Sequence, residues 1–247
     1  MITIKICVIT PVRDPDSAYI QNLKPYFSSL LGGGVELEYA NPELGFPYVE
    51  SELHGLFNGA ITVPLAVKAA AFGADGIFIN CFDDPAVCAC REVLDIPVFG
   101  AYEASVLTAL SISDKVGIIT TDPAGILTEE RKLRQLGLSG RIAAIKAADM
   151  DVAHVVGNDK LAQKLAEECI SLWNDDHIGC VILGCTGMQH AVSALRHELN
   201  RLDCPIAVIE PAAAGISWLE RCIRLGLTNS LHLGLSMENL KGALHEN

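Results

Sequence analysis

Short apolar runs of strand length recur along the chain, each followed by a stretch whose apolar positions repeat at helical spacing. The runs predict strands over 2–9, 35–40, 76–81, 96–101, 116–121, 141–146, 179–185 and 205–209. The stretches between them predict helices over 17–31, 50–72, 84–94, 102–112, 123–137, 158–174, 189–201 and 211–225, with a last one over 236–245. Most strands are apolar at nearly every position, so both faces are expected to be buried. That is the pattern of a parallel sheet built from βαβ units. Gly32-Gly33-Gly34 leaves a helix and precedes a strand, which makes it a turn, because a phosphate-binding loop follows a strand and opens a helix. Leu44-Gly45-Phe46-Pro47 is a second break, expected as a loop near the cleft.

The order of elements repeats. Val8-Ile9-Thr10-Pro11 closes the first strand, and Ile118-Ile119-Thr120-Thr121-Asp122-Pro123 closes the fifth. Gly76-Ile77-Phe78-Ile79-Asn80-Cys81 has its counterpart in Cys180-Val181-Ile182-Leu183-Gly184-Cys185. Further on, Glu103 follows one strand and Glu210 the other. Each half therefore runs strand–Thr, strand–Cys, strand–Glu. Chance alternation would mimic such a repeat, but the recurrence of both Cys and Glu favours duplication. The fold expected is α/β, with two similar flavodoxin-like lobes whose parallel sheets are related by a pseudo-twofold axis. The first lobe would comprise 1–114 with about 210–247 returning to it, and the second 115–209. Ligands of parallel α/β sheets bind outside the carboxyl ends of the strands. The site is thus expected in the cleft between lobes, with Cys81 facing Cys185.

A length of 247 residues allows an ample core without a metal or disulfide. The net charge of −12 excludes the basic surface that nucleic-acid binding needs, although helix starts can still hold a small anion. Nine cysteines, with no secretory segment apparent before the first strand, lead us to expect a cytoplasmic protein. No apolar run approaches a membrane span. Cys7, Cys169, Cys180, Cys204 and Cys222 lie in apolar stretches and read as core. Cys88 and Cys90 are two apart on a predicted helix and point to different faces, so no metal site is expected.

The strand-end cysteines carry the candidate chemistry. A thiol titrates at about 8.5 when unperturbed, near enough to neutrality to give or take a proton with modest tuning. Two thiols across a cleft can take a carbon-bound proton from one face and return it to the other while the carbanion is stabilised between them. One is expected as thiolate and its partner as thiol, with a helix N-terminus favouring the thiolate. Thr186 and Gly187 would offer backbone N–H groups to a substrate carbonyl or carboxylate. Thr10, Thr120 and Thr121 are either substrate donors or ordinary strand-end threonines. Pro11, Phe82 and Asp83 complete the candidate contacts. Asp83 and Asp84 either cap the next helix, with Pro85 in its first turn, or keep Cys81 protonated by their charge. Glu103 and Glu210 read equally as helix-dipole partners, and His190 as a helix-surface residue or an auxiliary acid–base group.

The segments Asn80-Cys81-Phe82-Asp83-Asp84-Pro85 and Leu183-Gly184-Cys185-Thr186-Gly187-Met188 resemble the aspartate/glutamate/hydantoin racemase superfamily, and most nearly its hydantoin and allantoin branch. Cys81, Phe82, Asp84 and Pro85 fit that branch's Cys-Phe-x-Asp-Pro. Gly184, Cys185, Gly187 and Met188 fit its Gly-Cys-Ala-Gly-Met, with Thr186 in place of Ala. Gly100, Glu103 and Ala104 fit its Gly-x-x-Glu-Ala. Thr10-Pro11-Val12 departs from the branch's Asn-Pro-Asn, and Thr186 resembles the amino-acid racemases, whose following His is here Gly187. The resemblance implies two α/β lobes, racemisation by Cys81 and Cys185 without a cofactor, and a homo-oligomer. A five-substituted hydantoin or allantoin is the preferred small-molecule substrate, since ring carbonyls delocalise the carbanion. The alternatives are an aspartate/glutamate-type racemase, a maleate isomerase-like or decarboxylase-like enzyme, and a non-catalytic metabolite-binding protein.

Overall fold

The computed structural model describes residues 3–229. The first half runs β1 (Ile4–Ile9), α1 (Ser17–Leu30), β2 (Val35–Ala40), α2 (Glu52–Ala71), β3 (Gly76–Ile79), α3 (Val87–Val93), β4 (Val98–Gly100) and α4 (Tyr102–Ile112). The second half repeats the order: β5 (Val116–Thr120), α5 (Pro123–Gln135), β6 (Ile142–Ala147), α6 (Leu161–Asp176), β7 (Cys180–Leu183), α7 (Val192–Arg201), β8 (Ala207–Ile209) and α8 (Pro211–Arg224). Each half forms its own four-stranded sheet, ordered β2-β1-β3-β4 and β6-β5-β7-β8. All pairings are parallel, with Ile9 opposite Ile79 in one sheet and Ile119 opposite Leu183 in the other. The expected α/β architecture of two similar lobes is what the chain adopts.

Three apolar cores hold these layers. Ile9, Ile77, Ile79 and Val98 pack under α2 and α3 on one outer side, and Ile119, Val181 and Leu183 pack under α6 and α7 on the other. The third core lies between the lobes and draws on both: Ile6, Val8 and Phe78 meet Ile118, Cys180 and Ile182, with Val106 of α4 and Ile216 and Leu219 of α8. Full burial of a side chain such as Phe78 stabilises by about 1.5–3 kcal/mol, so this shared core ties the lobes together strongly. α8 packs on β3 and β4 of the first sheet, and α4 touches β7 and β8 of the second. The last helix of each half therefore reaches across to the other.

Several expected boundaries shift. Pro97 and Pro205 lack the N–H a ladder requires, and the strands predicted over 96–101 and 205–209 shorten to β4 and β8. The helix expected over 84–94 begins only at Val87, because Asp84 and Ala86 take positive φ of 49° and 67°. The helix expected over 189–201 is preceded by a 3₁₀ turn, Thr186–Ala191, and becomes α-helical at Val192. The helix expected over 236–245 lies outside the described residues. Among the described residues no helix is long and apolar enough to cross a membrane.

Candidate active site

A cavity of about 160 Å³ opens where the carboxyl ends of the two sheets meet. Thr10, Pro11, Cys81, Phe82 and Asp83 line it from the first half, and Thr120, Thr121, Cys185, Thr186 and Gly187 line it from the second. All ten candidate residues are thus brought to one place. The rim comes from the connections after β2 and β6. Pro47, Tyr48, Val49 and Glu50 stand on one side and Val152, Val155 and Val156 on the other. Buried Asn58 fixes the first rim loop, donating to the carbonyls of Pro11 at 2.9 Å and Phe46 at 3.0 Å while accepting from the N–H of Phe46 at 2.9 Å.

The residues beside the two cysteines touch across the crevice. The Thr186 hydroxyl donates to the backbone carbonyl of Asn80 at 3.4 Å, linking the end of β7 to the end of β3. Asn80, itself buried, donates to the Tyr19 hydroxyl at 3.0 Å and to Thr10 Oγ1 at 3.4 Å. Cys81 and Cys185 therefore sit at two strand ends linked by one hydrogen bond, with Asn80 anchored in turn to Tyr19 and Thr10. Gly184 makes the approach of β7 possible, because a Cβ there would lie 2.8 Å from Ile119 O and from Thr120 Cα.

At Cys185 the chain enters the 3₁₀ turn, and the Gly187 N–H points at Sγ, with N and S 3.4 Å apart. Burial pushes this thiol up to about 11, against the downward pull of the N–H groups of Gly187 and Met188. Cys81 is also raised well above its ordinary value, first by burial and then by the charge of Asp83, while the Asp83 N–H and, after it, Lys132 pull the other way. The expectation that a helix start alone would leave one thiolate at neutral pH is thus corrected: loss of water outweighs the N–H groups at both cysteines.

The loop after Cys81 is tightly wound. The Asp84 N–H donates to Cys81 O at 3.2 Å, and the left-handed conformations of Asp84 and Ala86 are ones non-glycine residues adopt at a cost. Asp84 does not cap α3, whose start has no side-chain cap. It turns to α4 and accepts from the N–H groups of Tyr102 at 2.9 Å and Glu103 at 3.1 Å. Gly100 leaves room for this, since a Cβ there would fall 2.1 Å from Asp84 Oδ1. Burial pushes Asp84 up to about 6 despite these two bonds.

Asp83 pairs with Lys132 of α5 at 2.9 Å. The same ammonium reaches Glu129 at 2.9 Å and the Phe82 carbonyl at 3.1 Å, and it lies over the rings of Phe82 and Tyr102 at 4.7 and 4.1 Å. Burial lifts Glu129 to about 7, opposed by Lys132. These two residues were not singled out by the sequence, where Thr128-Glu129-Glu130-Arg131-Lys132 looks like a solvated charged helix face. The signal was their spacing: Gly125, Thr128 and Glu129 fall on one face of α5 and line the cavity, with Lys132 one turn on. Tyr19 and Asn80 were also not singled out: Tyr19 lies in a helix of mixed composition and Asn80 directly follows an apolar strand, and only the fold brings them together.

Glu103, Glu210 and His190 lie outside the cavity wall. Glu103 pairs with Arg91 at 2.9 Å. Glu210 is buried, caps α8 through the N–H groups of Ala212 and Ala213, and accepts from the Tyr26 hydroxyl at 2.7 Å. His190 is exposed, with Nδ1 2.9 Å from the Gly187 carbonyl oxygen. Five acidic residues line the cavity (Asp16, Glu50, Asp83, Asp122 and Glu129), and among the described residues no Lys, Arg or His does.

Comparison with known proteins identifies the family and the fold. The sequence model of the Asp/Glu/Hydantoin racemase family matches residues 17–219. A hydantoin racemase of Pseudomonas sp. (strain NS671) is 25% identical over 231 residues, spanning 92% of this chain and 88% of that protein. The structure of an allantoin racemase from Klebsiella pneumoniae superimposes with a TM-score of 0.84 at 28% identity, covering 94% of this chain and 92% of that one. A glutamate racemase isoform from Bacillus anthracis shares the fold with a TM-score of 0.66 at 19% identity, covering 93% and 85%.

Proposed function

Because this chain belongs to the Asp/Glu/hydantoin racemase family, we propose that it is a racemase that needs no cofactor and inverts a carbon acid with Cys81 and Cys185 as the two acid–base groups. The observation that carries this reading is the hydrogen bond from Thr186 to Asn80, which ties together the strand ends bearing the two thiols on one cavity. In the forward direction the Cys185 thiolate takes the proton from one face of the carbon. The electron pair of the broken C–H bond passes into an adjacent carbonyl, and the Cys81 thiol delivers its own proton to the opposite face, becoming the thiolate. The reverse direction exchanges the roles. Thr10 and Thr120 bring hydroxyls to the cavity wall that can donate to substrate carbonyls and stabilise the developing negative charge, whereas the Thr121 and Thr186 hydroxyls and the Gly187 N–H are engaged by Asp122, Asn80 and Cys185 and would have to turn to the substrate.

The substrate we favour is a neutral ring such as a five-substituted hydantoin or allantoin, the substrates named for the relatives above. Asp83 and Glu129 are paired with Lys132, but Asp16, Glu50 and Asp122 face the cavity with no basic side chain on its wall and repel a dicarboxylic amino acid, whereas an uncharged ring meets no such penalty. A neutral ring also delocalises its carbanion over ring carbonyls, which lowers the demand on the protein.

The test is incubation of single enantiomers of five-substituted hydantoins, allantoin, aspartate and glutamate in heavy water, followed by polarimetry and mass spectrometry. A hydantoin or allantoin should lose optical rotation and gain one deuteron at the reacting carbon. Cys81→Ala and Cys185→Ala should each stop inversion, while the remaining thiol still exchanges the hydrogen of the enantiomer that faces it. Undiminished racemisation by the double variant would exclude the mechanism.

A further inference from the structure

No basic side chain lines the cavity among the described residues, yet the proposed reaction leaves a negative sulfur on Cys81 for half of each cycle. A buried anion needs a compensating charge close by. The cation whose charge acts on Cys81 stands behind the wall. Lys132 projects from α5 of the second half into the loop that follows Cys81 in the first, and only 14% of its side chain is exposed. An ammonium has three N–H donors, and Lys132 has three acceptors: Phe82 O at 3.1 Å, Asp83 Oδ1 at 2.9 Å and Glu129 Oε1 at 2.9 Å. The rings of Phe82 and Tyr102 close its sides. Such a compact, saturated socket suits a point charge and would not take the planar fork of an arginine.

Stability alone does not account for this arrangement. Burying a lysine with two carboxylates costs desolvation that their attraction often only matches, and apolar side chains of similar volume do as well or better. The charge count is also unbalanced. Asp83 and Glu129 share one ammonium, Asp84 adds a third carboxyl group to the neighbourhood, and the other Glu129 oxygen, Oε2, is buried without a hydrogen-bond partner. Two of the three acceptors belong to Phe82 and Asp83, the residues directly after Cys81.

We propose that Lys132 is the counter-charge that lets Cys81 hold a thiolate, and so is a positioning residue for the half of the reaction in which Cys81 has released its proton. Lys132 touches neither substrate nor the reacting carbon. It keeps its proton throughout, and only the Cys81 S–H bond is made and broken. Asp83 and Glu129 set how much of its charge remains for the sulfur, with Asp84 and Tyr102 as the other ionisable neighbours of the socket and Cys185 facing Cys81 across the cavity.

This inference deepens the two-cysteine reading and takes its catalytic meaning from it, but its test measures thiol reactivity and not racemisation. The wild-type protein, Lys132→Met, Asp83→Asn and the double variant Lys132→Met/Asp83→Asn are treated with iodoacetamide across a range of pH. Alkylation of Cys81 and Cys185 is followed separately by peptide mass spectrometry. Lys132→Met should slow Cys81 alkylation near pH 8 about tenfold, the effect of one pKa unit, and leave Cys185 within about threefold. Asp83→Asn should speed Cys81, and the double variant should return it to within about threefold of wild type, because one positive and one negative charge leave together. A structural role predicts the opposite, with the double variant further from wild type than Lys132→Met alone. Unchanged Cys81 reactivity in Lys132→Met, equal slowing of both cysteines, or no recovery in the double variant would each overturn the proposal. Failure to racemise any hydantoin, with this alkylation pattern intact, would instead count against the catalytic reading.

Discussion

Raising the pH from 6 to 8 should increase kcat/KM of the wild-type protein on a hydantoin enantiomer about a hundredfold, and the reasoning runs through one thiol. Burial lifts Cys185 to about 11 against the N–H groups of Gly187 and Met188. In the mechanism proposed the reacting base is the Cys185 thiolate, so at pH 6 roughly one molecule in 10⁵ is competent, and at pH 8 roughly one in 10³. Each pH unit then contributes a factor of about ten. Cys81 is also raised well above its ordinary value, by burial and then by Asp83, so it stays protonated across the range and no falling limb appears. A thiolate whose own conjugate thiol is so weak an acid is also a stronger base toward carbon than an ordinary one. The assay is the initial loss of optical rotation at substrate well below KM, with the protein-free rate subtracted at every pH. This condition reports the groups of the free enzyme. A profile that is flat, or that reaches a plateau below pH 7, would show that the base is not a thiol in this environment.

The remaining predictions concern stability around Cys81. Glu129 is raised from 4.5 to about 7, so the folded state holds a proton that the unfolded chain has released. Its contribution is fully present below 4.5 and is lost as the pH rises through 7. Glu129→Gln should therefore abolish about 3 kcal/mol of the fall in unfolding free energy between pH 4 and pH 8, measured by urea titration; identical pH slopes in the two proteins would refute this. Asp84→Ala removes a cap and leaves the N–H groups of Tyr102 and Glu103 without their acceptor. The expected cost is about 3 kcal/mol, lowering Tm by about 6–12 °C in a thermal melt. A loss below about 1 kcal/mol would show that Asp84 does not hold α4.

What could be read from the chain alone was whatever depends on local period and on position along a strand. Fully apolar runs such as Ile77–Ile79 and Val181–Leu183 specify strands buried on both faces. A strand in a parallel sheet delivers its last residue to a known edge, so Cys81 and Cys185, with Thr10 and Thr120, were predictably at one end of their sheets. The duplication was visible because the same residues recur in the same order. Tertiary structure decided where the polar side chains went. Asp84, beside Cys81 in sequence, serves α4 across the turn, because Gly100 leaves it room and α3 begins too late to use it. Glu129 and Lys132 sit in a sequence with the composition of an exposed helix face, and became a buried ion pair only because α5 lies against the loop after β3. A hydrophobic period states which side of an element is buried, but a charged side chain carries no local mark of the distant partner that will pair with it. That partner is fixed by how the two lobes pack on their shared core, and here that packing sets the electrostatics around both thiols.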